Sequence, residues 1–126
     1  MSHFSTIKTK IKDKEILVQA LLLLQYDVQE DQELINPINH QHEKVKVDVS
    51  IGNDIGFRLN KNGEYELVAD IQTWDLDVPV QRFIDKLTQQ YAVQNIKKVA
   101  VEEGFNVEQQ IKNVNGEVEL VVTRWT

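Results

Sequence analysis

Hydrophobic and polar residues alternate in two parts of the chain, and a two-residue period predicts β-strands. In residues 5–12, Ile7, Thr9 and Ile11 fall on one side and three lysines on the other. The alternation is stronger from Lys44, where three valines and an isoleucine at positions 45 to 51 share one side. Gly52-Asn53 and Asn62-Gly63 are turn dipeptides, so residues 44–70 should form a three-stranded antiparallel meander.

Helical spacing predicts two helices. Asp13 stands at an N-cap position before apolar residues spaced three and four apart, which indicates a helix from about residue 14. A second helix should begin near Pro79, capped by Asp77 or Val78, and end at Gly104. Its apolar residues form two stripes on nearly opposite sides: Val80, Phe83, Ile84, Leu87 and Tyr91, then Ala92, Ile96, Val99 and Ala100. One straight helix cannot bury both against one sheet, so we predict a break between Thr88 and Tyr91.

The rest of the chain completes the predicted architecture. Residues 26–29 can form a short strand, residues 30–43 have no periodicity and predict a loop, and Asn115-Gly116 predicts a final hairpin. The expected fold is a single α+β domain over residues 1–126. It is a two-layer sandwich with a mostly antiparallel sheet, one N-terminal helix and one long broken C-terminal helix on one face.

Composition excludes several classes of function but does not point to a particular one. The 126 residues include no cysteine, which excludes disulfides, thiol catalysis and zinc-thiolate sites. The net charge of −6 opposes a general affinity for nucleic acid, and no apolar run approaches the ~20 residues of a membrane span. We therefore expect a soluble protein with no nucleic-acid partner and no cofactor, and we leave its oligomeric state open.

A histidine cluster is the most visible candidate for a metal site. His40 and His42 would project to one side of an extended segment, and Glu43 or the distant His3 could supply a third ligand. The pair lies in a polar stretch beside Pro37, however, and no second pair of ligands is present elsewhere. A solvated loop is the commoner explanation, so we predict no metal site.

Carboxylates and aromatic residues suggest a second candidate site. Asp70, Asp75 and Asp77 flank Trp74, and paired carboxylates can act as acid and base when their environments differ. The same pattern is more typical of a strand end followed by a helix cap. No nucleophile motif accompanies it, so we predict no catalytic residues.

A ligand or partner could still bind where the meander approaches the predicted helix break. The residues that we expect to meet there are Tyr65, Asp70, Trp74, Gln90 and Tyr91. The plainer interpretation is that the two tyrosines lie at the edge of the core and bond to water or to a backbone carbonyl. Lys8, Lys10 and Lys12 likewise could dock an acidic partner or could simply protect an edge strand from aggregation.

Four segments resemble one family over most of the chain: "MSHFSTIKT", "NDIGFRLNKNGEYELVAD", "RFIDKLTQQYA" and "NGEVELVVTRW". The chain is similar to the hypothetical chloroplast open reading frame thirty-five family of algal plastids and cyanobacteria, a domain of unknown function. The resemblance implies the chloroplast stroma or a cyanobacterial cytoplasm, and it implies no reaction and no site residues. Residues 35–47, which include His40 and His42, depart from the family pattern.

Two functions from different classes remain. The first is a non-enzymatic accessory or protein-binding module of the stroma that uses the sheet edge or the helix break. The second is a small-ligand binding domain, or a minor enzyme, with its site near Tyr65, Asp70, Trp74 and Tyr91.

Overall fold

The elements follow the predicted order, although the second strand lies further along the chain and the second helix is unbroken. The computed structural model describes residues 3–36, 44–112 and 118–124, with side chains up to residue 104. The strands are β1 (Ser5–Lys8), β2 (Gln29–Ile35), β3 (Lys44–Ser50), β4 (Ile55–Leu59), β5 (Tyr65–Ala69), β6 (Phe105–Lys112) and β7 (Val118–Arg124). The helices are α1 (Lys14–Leu23) and α2 (Val80–Glu102), with a 3-10 turn at Ile71–Thr73. The α+β class is confirmed.

Five of these strands form one antiparallel sheet in the order β1-β5-β4-β3-β2, and β6 pairs with β7 in a separate antiparallel hairpin next to α2. One face of the larger sheet, which we call the near face, packs against both helices. Its core joins strand residues such as Phe57 and Leu67 to Leu17 of α1 and Phe83 of α2, all essentially buried. Removing this apolar surface from water is the main force that holds the two layers together.

The predicted meander is confirmed as β3, β4 and β5, and the final hairpin is confirmed as β6 and β7. Gly63 has a φ of +78°, which explains why the Asn62-Gly63 turn needs a glycine. The Asn115-Gly116 turn lies outside the described residues. The cap at Asp13 is also confirmed, since its Oδ1 accepts a hydrogen bond of 3.1 Å from Ile16 N.

The strand at β2 contradicts the predicted loop over residues 30–43, of which residues 30–35 are strand and residues 37–43 lie outside the description. The predicted strand at residues 26–29 is also wrong, because β2 begins only at Gln29. Only Leu34 of β2 is buried, so no alternation marks the strand in the sequence. Its pairing with β3 supplies the stability instead, while Tyr26 and Val28 pack against the near-face core.

The predicted helix break is wrong. α2 is one continuous helix of 23 residues that begins after Pro79, the residue at the N-cap, rather than after Asp77 or Val78. The prediction assumed that both apolar stripes are buried, but the second stripe is mostly solvent-exposed, with Ile96 at 48% and Val99 at 41%. An exposed stripe needs no bend to cover it.

β1 is shorter than the alternation in residues 5–12 predicts. It ends at Lys8, and beyond that point Thr9 Oγ1 donates a hydrogen bond to Tyr65 O while Tyr65 N donates one of 2.8 Å to Ile11 O. The side chain of Thr9 thus takes the place of a backbone donor, and the ladder with β5 loses its register. Ile11 is nevertheless buried as predicted.

The other face of the sheet, the far face, is partly covered because the β2–β3 hairpin folds back over it. β3 pairs with β4 only at Val49 and Ser50. Before that point, Val47 lies so close to Gly56 that a Cβ on the glycine would be 2.8 Å from Val47 Cγ2. Val47, Leu34 and Val68 form a second small core with Phe4 and Val45. β3 therefore bends at Asp48, and the opposite residue of β2, Asp31, has a φ of +54°.

Two hydrogen bonds fix the folded hairpin at the end of the sheet. Ile35 N donates to Asn53 O at 3.0 Å, in the turn between β3 and β4. Asn36 Nδ2 donates to Asp70 Oδ2 at 2.8 Å, directly after β5. In a flat hairpin, Ile35 would lie six residues along the ladder from Gln29 and far from that turn, so these contacts require the bend.

Candidate functional site

Two depressions beside the far face join into one groove. The larger, of about 670 Å³, lies where the folded hairpin diverges from β4, and the smaller, of about 430 Å³, lies against the ends of β1, β4 and β5. Arg58 and Leu59 line both depressions, so the two adjoin at these residues and we treat them as one surface. We call this surface the far-face groove. Its lining residues are 8, 31–33, 46–48, 58–62 and 66.

The bend in β3 opens the groove. Where a regular ladder would continue, Asp48 Oδ2 accepts a hydrogen bond of 2.8 Å from Leu59 N, so a side chain replaces the neighbouring backbone. Leu59, the last residue of β4, is 47% exposed at the place where the two depressions meet. The groove lining therefore combines this exposed apolar residue with charged ones.

The carboxylates of the groove already have partners within the protein. Glu66 lies 3.8 Å from Arg58 Nη2 and accepts a hydrogen bond of 3.4 Å from Asn60 Nδ2. Two others are near lysines outside the groove: Asp31 is 4.0 Å from Lys14 and Glu33 is 3.9 Å from Lys44. Asp48 and Glu66 are thus held inside the groove, whereas Asp31 and Glu33 stay solvent-exposed beside their lysines.

The lysines of the groove are in the opposite situation. Lys8, Lys46 and Lys61 are exposed, and within the described residues their ammonium groups form no ion pair or hydrogen bond. The groove thus offers unpaired positive charge on a protein whose net charge is −6. Of the predicted lysine row, Lys8 lies in the groove, while Lys10 and Lys12 are exposed beyond the end of β1.

The structure separates the five residues of the predicted ligand site. Tyr65 and Tyr91 lie near the junction of β1 and α1, where the Tyr91 hydroxyl accepts hydrogen bonds from Lys12 N at 3.2 Å and Asp13 N at 3.0 Å. Burial raises the pKa of Tyr65, and the nearby Asp48 raises it further. These two tyrosines therefore complete the near-face core at one end of the sheet.

Asp70 and Trp74 lie at the other end. Five residues of extended chain, roughly 16 Å, separate Tyr65 from Asp70. Asp70 is 2% exposed and its Oδ1 accepts a hydrogen bond of 2.9 Å from Gln72 N, while Trp74 Nε1 donates to Val78 O at 2.8 Å and its ring packs edge-on against Phe83. Gln90 is half-buried on α2, next to Tyr91 and about 10 Å along the helix from Phe83. The five residues do not line one pocket, and no helix break brings them together.

Several carboxylates do approach one another at the Asp70 end of the sheet. Burial raises the pKa of Asp54, and the charges of Asp75 and Asp70 raise it further, while a hydrogen bond from Thr73 opposes them. Asp75 and Asp77 are both exposed. The hydrogen bonds of Asp70 cap the 3-10 turn and hold the folded hairpin, which agrees with a structural role.

The histidine cluster cannot be placed, since His40, His42 and Glu43 lie outside the described residues. Among the residues that the structure does describe, no group of three or more histidines, aspartates or glutamates could hold a metal ion. In the same part of the chain, no helix combines the length and apolar character that crossing a bilayer requires.

Sequence reasoning missed Arg58, Leu59 and Lys61 as residues of a site. Alternation assigns Leu59 to the near-face core with Ile55 and Phe57, because nothing in the sequence shows that the core ends before the strand does. The one available signal was charge: Arg58 and Lys61 border Leu59 at the end of the strand.

Comparison with known proteins identifies the family. A family model described as a protein of unknown function, DUF1257, matches residues 20–121. The chain belongs to the DUF1257 family. The family resemblance inferred from the sequence is confirmed by relatives named "Uncharacterized protein ycf35". The relative from Pyropia yezoensis is 39% identical over 99% of this chain and 98% of its own length.

Two further relatives carry the same name. The one from Guillardia theta is 37% identical and the one from Cyanophora paradoxa is 34% identical, each over 99% of this chain and 98% of its own length. These plastid-encoded relatives are consistent with a plastid location. No solved structure matches the chain significantly.

Proposed function

We propose that this DUF1257 protein is a non-enzymatic accessory protein of the plastid stroma that binds another protein through the far-face groove. The observation that carries the proposal is Leu59, which is 47% exposed at the centre of a concave surface with charged walls. An apolar centre within a polar rim is the usual arrangement of a protein interface. Other exposed apolar residues, such as Leu22 and Ile71, do not line the groove.

The roles of the carboxylates support a binding function over acid–base catalysis. A general acid or base must be free to exchange a proton with substrate. Asp48 is hydrogen-bonded to the backbone of β4, and Glu66 is held by Arg58 and Asn60. The alternative of a small-ligand site near Tyr65, Asp70, Trp74 and Tyr91 draws no comparable support, because these residues lie at opposite ends of the sheet.

Site-specific crosslinking tests the proposal. A photoreactive phenylalanine analogue would replace Leu59 in one variant and Ile71 in a matched control, since Ile71 is 46% exposed and lies outside the groove. Both variants would be irradiated in a soluble extract of the cells that express the protein. We expect a discrete adduct with one protein from position 59 that position 71 does not give.

The crosslinked protein would then be purified and titrated against the unmodified chain. We expect Leu59→Glu to weaken binding by about tenfold or more, because it places a charge at the centre of the interface. The proposal is wrong if position 59 gives no adduct of its own. It is equally wrong if Leu59→Glu leaves the affinity for the purified partner unchanged.

A further inference from the structure

The distribution of charge in the far-face groove indicates what kind of segment it binds, and this inference rests on the proposed function. A charged side chain with a partner inside the protein would have to lose that partner to bind a new one. Asp48 and Glu66 are engaged in this way. Lys8, Lys46 and Lys61 have no such partner within the described residues. The lining has as many carboxylates as basic side chains, so the positive charge that a ligand can reach without breaking an internal contact is that of these three lysines.

The three lysines are arranged around the exposed leucine. Lys8 is the last residue of β1, Lys61 is in the turn after β4, and Lys46 is on the folded part of β3. Leu59 lies where the two depressions meet, between Lys61 and Lys46 along the groove. A ligand that reaches all of these groups needs an apolar group with negative charge on both sides of it.

We propose that the far-face groove binds a short acidic segment of a partner protein, with one apolar side chain against Leu59 and acidic residues on either side. Where β3 still pairs with β4, three strand spacings separate it from β1 by about 14 Å, and this sets the scale of the groove. An extended chain crosses that distance in about four or five residues. The segment is thus a short linear stretch rather than a whole domain surface.

A nucleic acid is a different polyanion, and the groove fits it less well. Its phosphates form an unbroken line of negative charge, whereas Asp31 and Glu33 stand on one wall of the groove and would repel such a line. A peptide can place a neutral or apolar residue at those points. A phosphate backbone also has no apolar group that could pack against Leu59.

Labelled synthetic peptides of about eight residues test the inference by fluorescence anisotropy. The acidic probe has a central leucine with glutamates on both sides, and the control replaces every glutamate with glutamine. Three exposed ion pairs should make the acidic probe bind about tenfold more tightly at low salt, and this advantage should shrink at about 0.3 M salt. Equal binding of the two probes would overturn the inference.

Charge-matched variants locate the binding. Substituting glutamine for Lys8, Lys46 and Lys61 together should remove the preference for the acidic probe. Substituting glutamine for Lys12, Lys86 and Lys97, which lie outside the groove, removes the same number of charges and should preserve it. The inference fails if both triple variants lose the preference equally, or if a single-stranded oligonucleotide binds more tightly than the acidic probe.

The two tests fail separately. If a partner depends on Leu59 but the acidic probe shows no preference, the proposed function stands and the acidic segment is wrong. If the acidic probe binds through the three lysines but Leu59→Glu leaves the affinity for the purified partner unchanged, the proposed function is wrong.

Discussion

The folded β2–β3 hairpin makes a quantitative prediction at Gly56. In Gly56→Ala the new Cβ would lie 2.8 Å from Val47 Cγ2 and 2.9 Å from Val49 O. Real Cβ atoms almost never approach other atoms so closely, and Val49 O is backbone, so β3 must move. Overpacking of this kind lowers the free energy of unfolding by about 1–3 kcal/mol. Replacing a glycine offsets about 0.5 kcal/mol of this loss, because the unfolded chain then has fewer conformations. We expect Gly56→Ala to lower the free energy of unfolding by about 1–2 kcal/mol.

A second substitution identifies the contact responsible. Val47→Ala alone should cost about 2 kcal/mol, because it removes buried apolar atoms and leaves a cavity. The same substitution removes both γ-carbons that crowd position 56, at 2.8 and 3.0 Å. The double variant should therefore be more stable than the sum of the single effects predicts, by about 1 kcal/mol.

Urea unfolding followed by far-UV circular dichroism measures these free energies. The comparison requires that the slope of the unfolding free energy against urea concentration be the same for all variants. Val93→Ala on α2 is the control, because Val93 is buried but takes no part in the contact between Val47 and Gly56. Its effect should add to that of Gly56→Ala within about 0.5 kcal/mol. In a regular ladder Val47 would lie opposite Leu59 rather than near Gly56, so additivity between positions 47 and 56 would refute the folded hairpin.

Three further predictions concern single polar groups. Tyr91→Phe should cost about 1 kcal/mol in thermal unfolding because Lys12 N and Asp13 N lose their acceptor, whereas Tyr26→Phe should change little; equal effects would contradict this. Ser50→Ala should stabilise the fold by up to about 1 kcal/mol, because Ser50 Oγ is buried with no partner among the described residues; a loss of stability would reveal a missing partner. The raised pKa of Asp54 means that its stabilising contribution is complete below its ordinary pKa of 3.8 and is lost as pH rises through the folded-state pKa. Asp54→Asn should therefore raise the melting temperature more at neutral pH than below pH 3.8, and the reverse order would contradict the argument.

The sequence correctly predicted the elements whose structure is determined by residues next to one another in the chain. The meander follows from alternation and from turn dipeptides that tolerate positive φ, and α1 follows from the Asp13 cap. β2 was not predicted, because an exposed strand at the edge of a sheet does not need alternating apolar and polar residues. The break in α2 was predicted because apolar spacing was equated with burial, and Ile96 and Val99 are exposed.

The bend in β3 shows a deeper limit of pattern reasoning. Val45, Val47, Val49 and Ile51 alternate without interruption, which predicts one strand with one apolar face. In the structure Val47 packs with Leu34 on the far face, whereas Val49 packs with Phe57 on the near face. Asp31 and Asp48 are weak local signals, since aspartate is depleted in strands and tolerates a positive φ, but they do not specify which way the strand turns. Packing between elements distant in the sequence decides where the strand turns, and therefore where the groove opens.

The candidate site was unpredictable for the same reason. Lys8, Lys46 and Lys61 belong to three separate segments; strand pairing brings Lys8 to the same depression as Lys61, and the folded hairpin adds Lys46. The five residues favoured by sequence depended on a helix break that α2 does not have. Their role in binding a ligand or partner stays a prediction, but the structure gives them separate positions.

An NMR titration of the isotopically labelled protein with the acidic peptide tests the central claim, that the far-face groove is the binding surface, most directly. We predict that backbone amide signals of Lys46, Asp48, Leu59 and Lys61 shift in a saturable manner, while those of Lys86 and Lys97 on α2 stay in place. Shifts centred on α2, or no saturable shift at the groove, would contradict the claim.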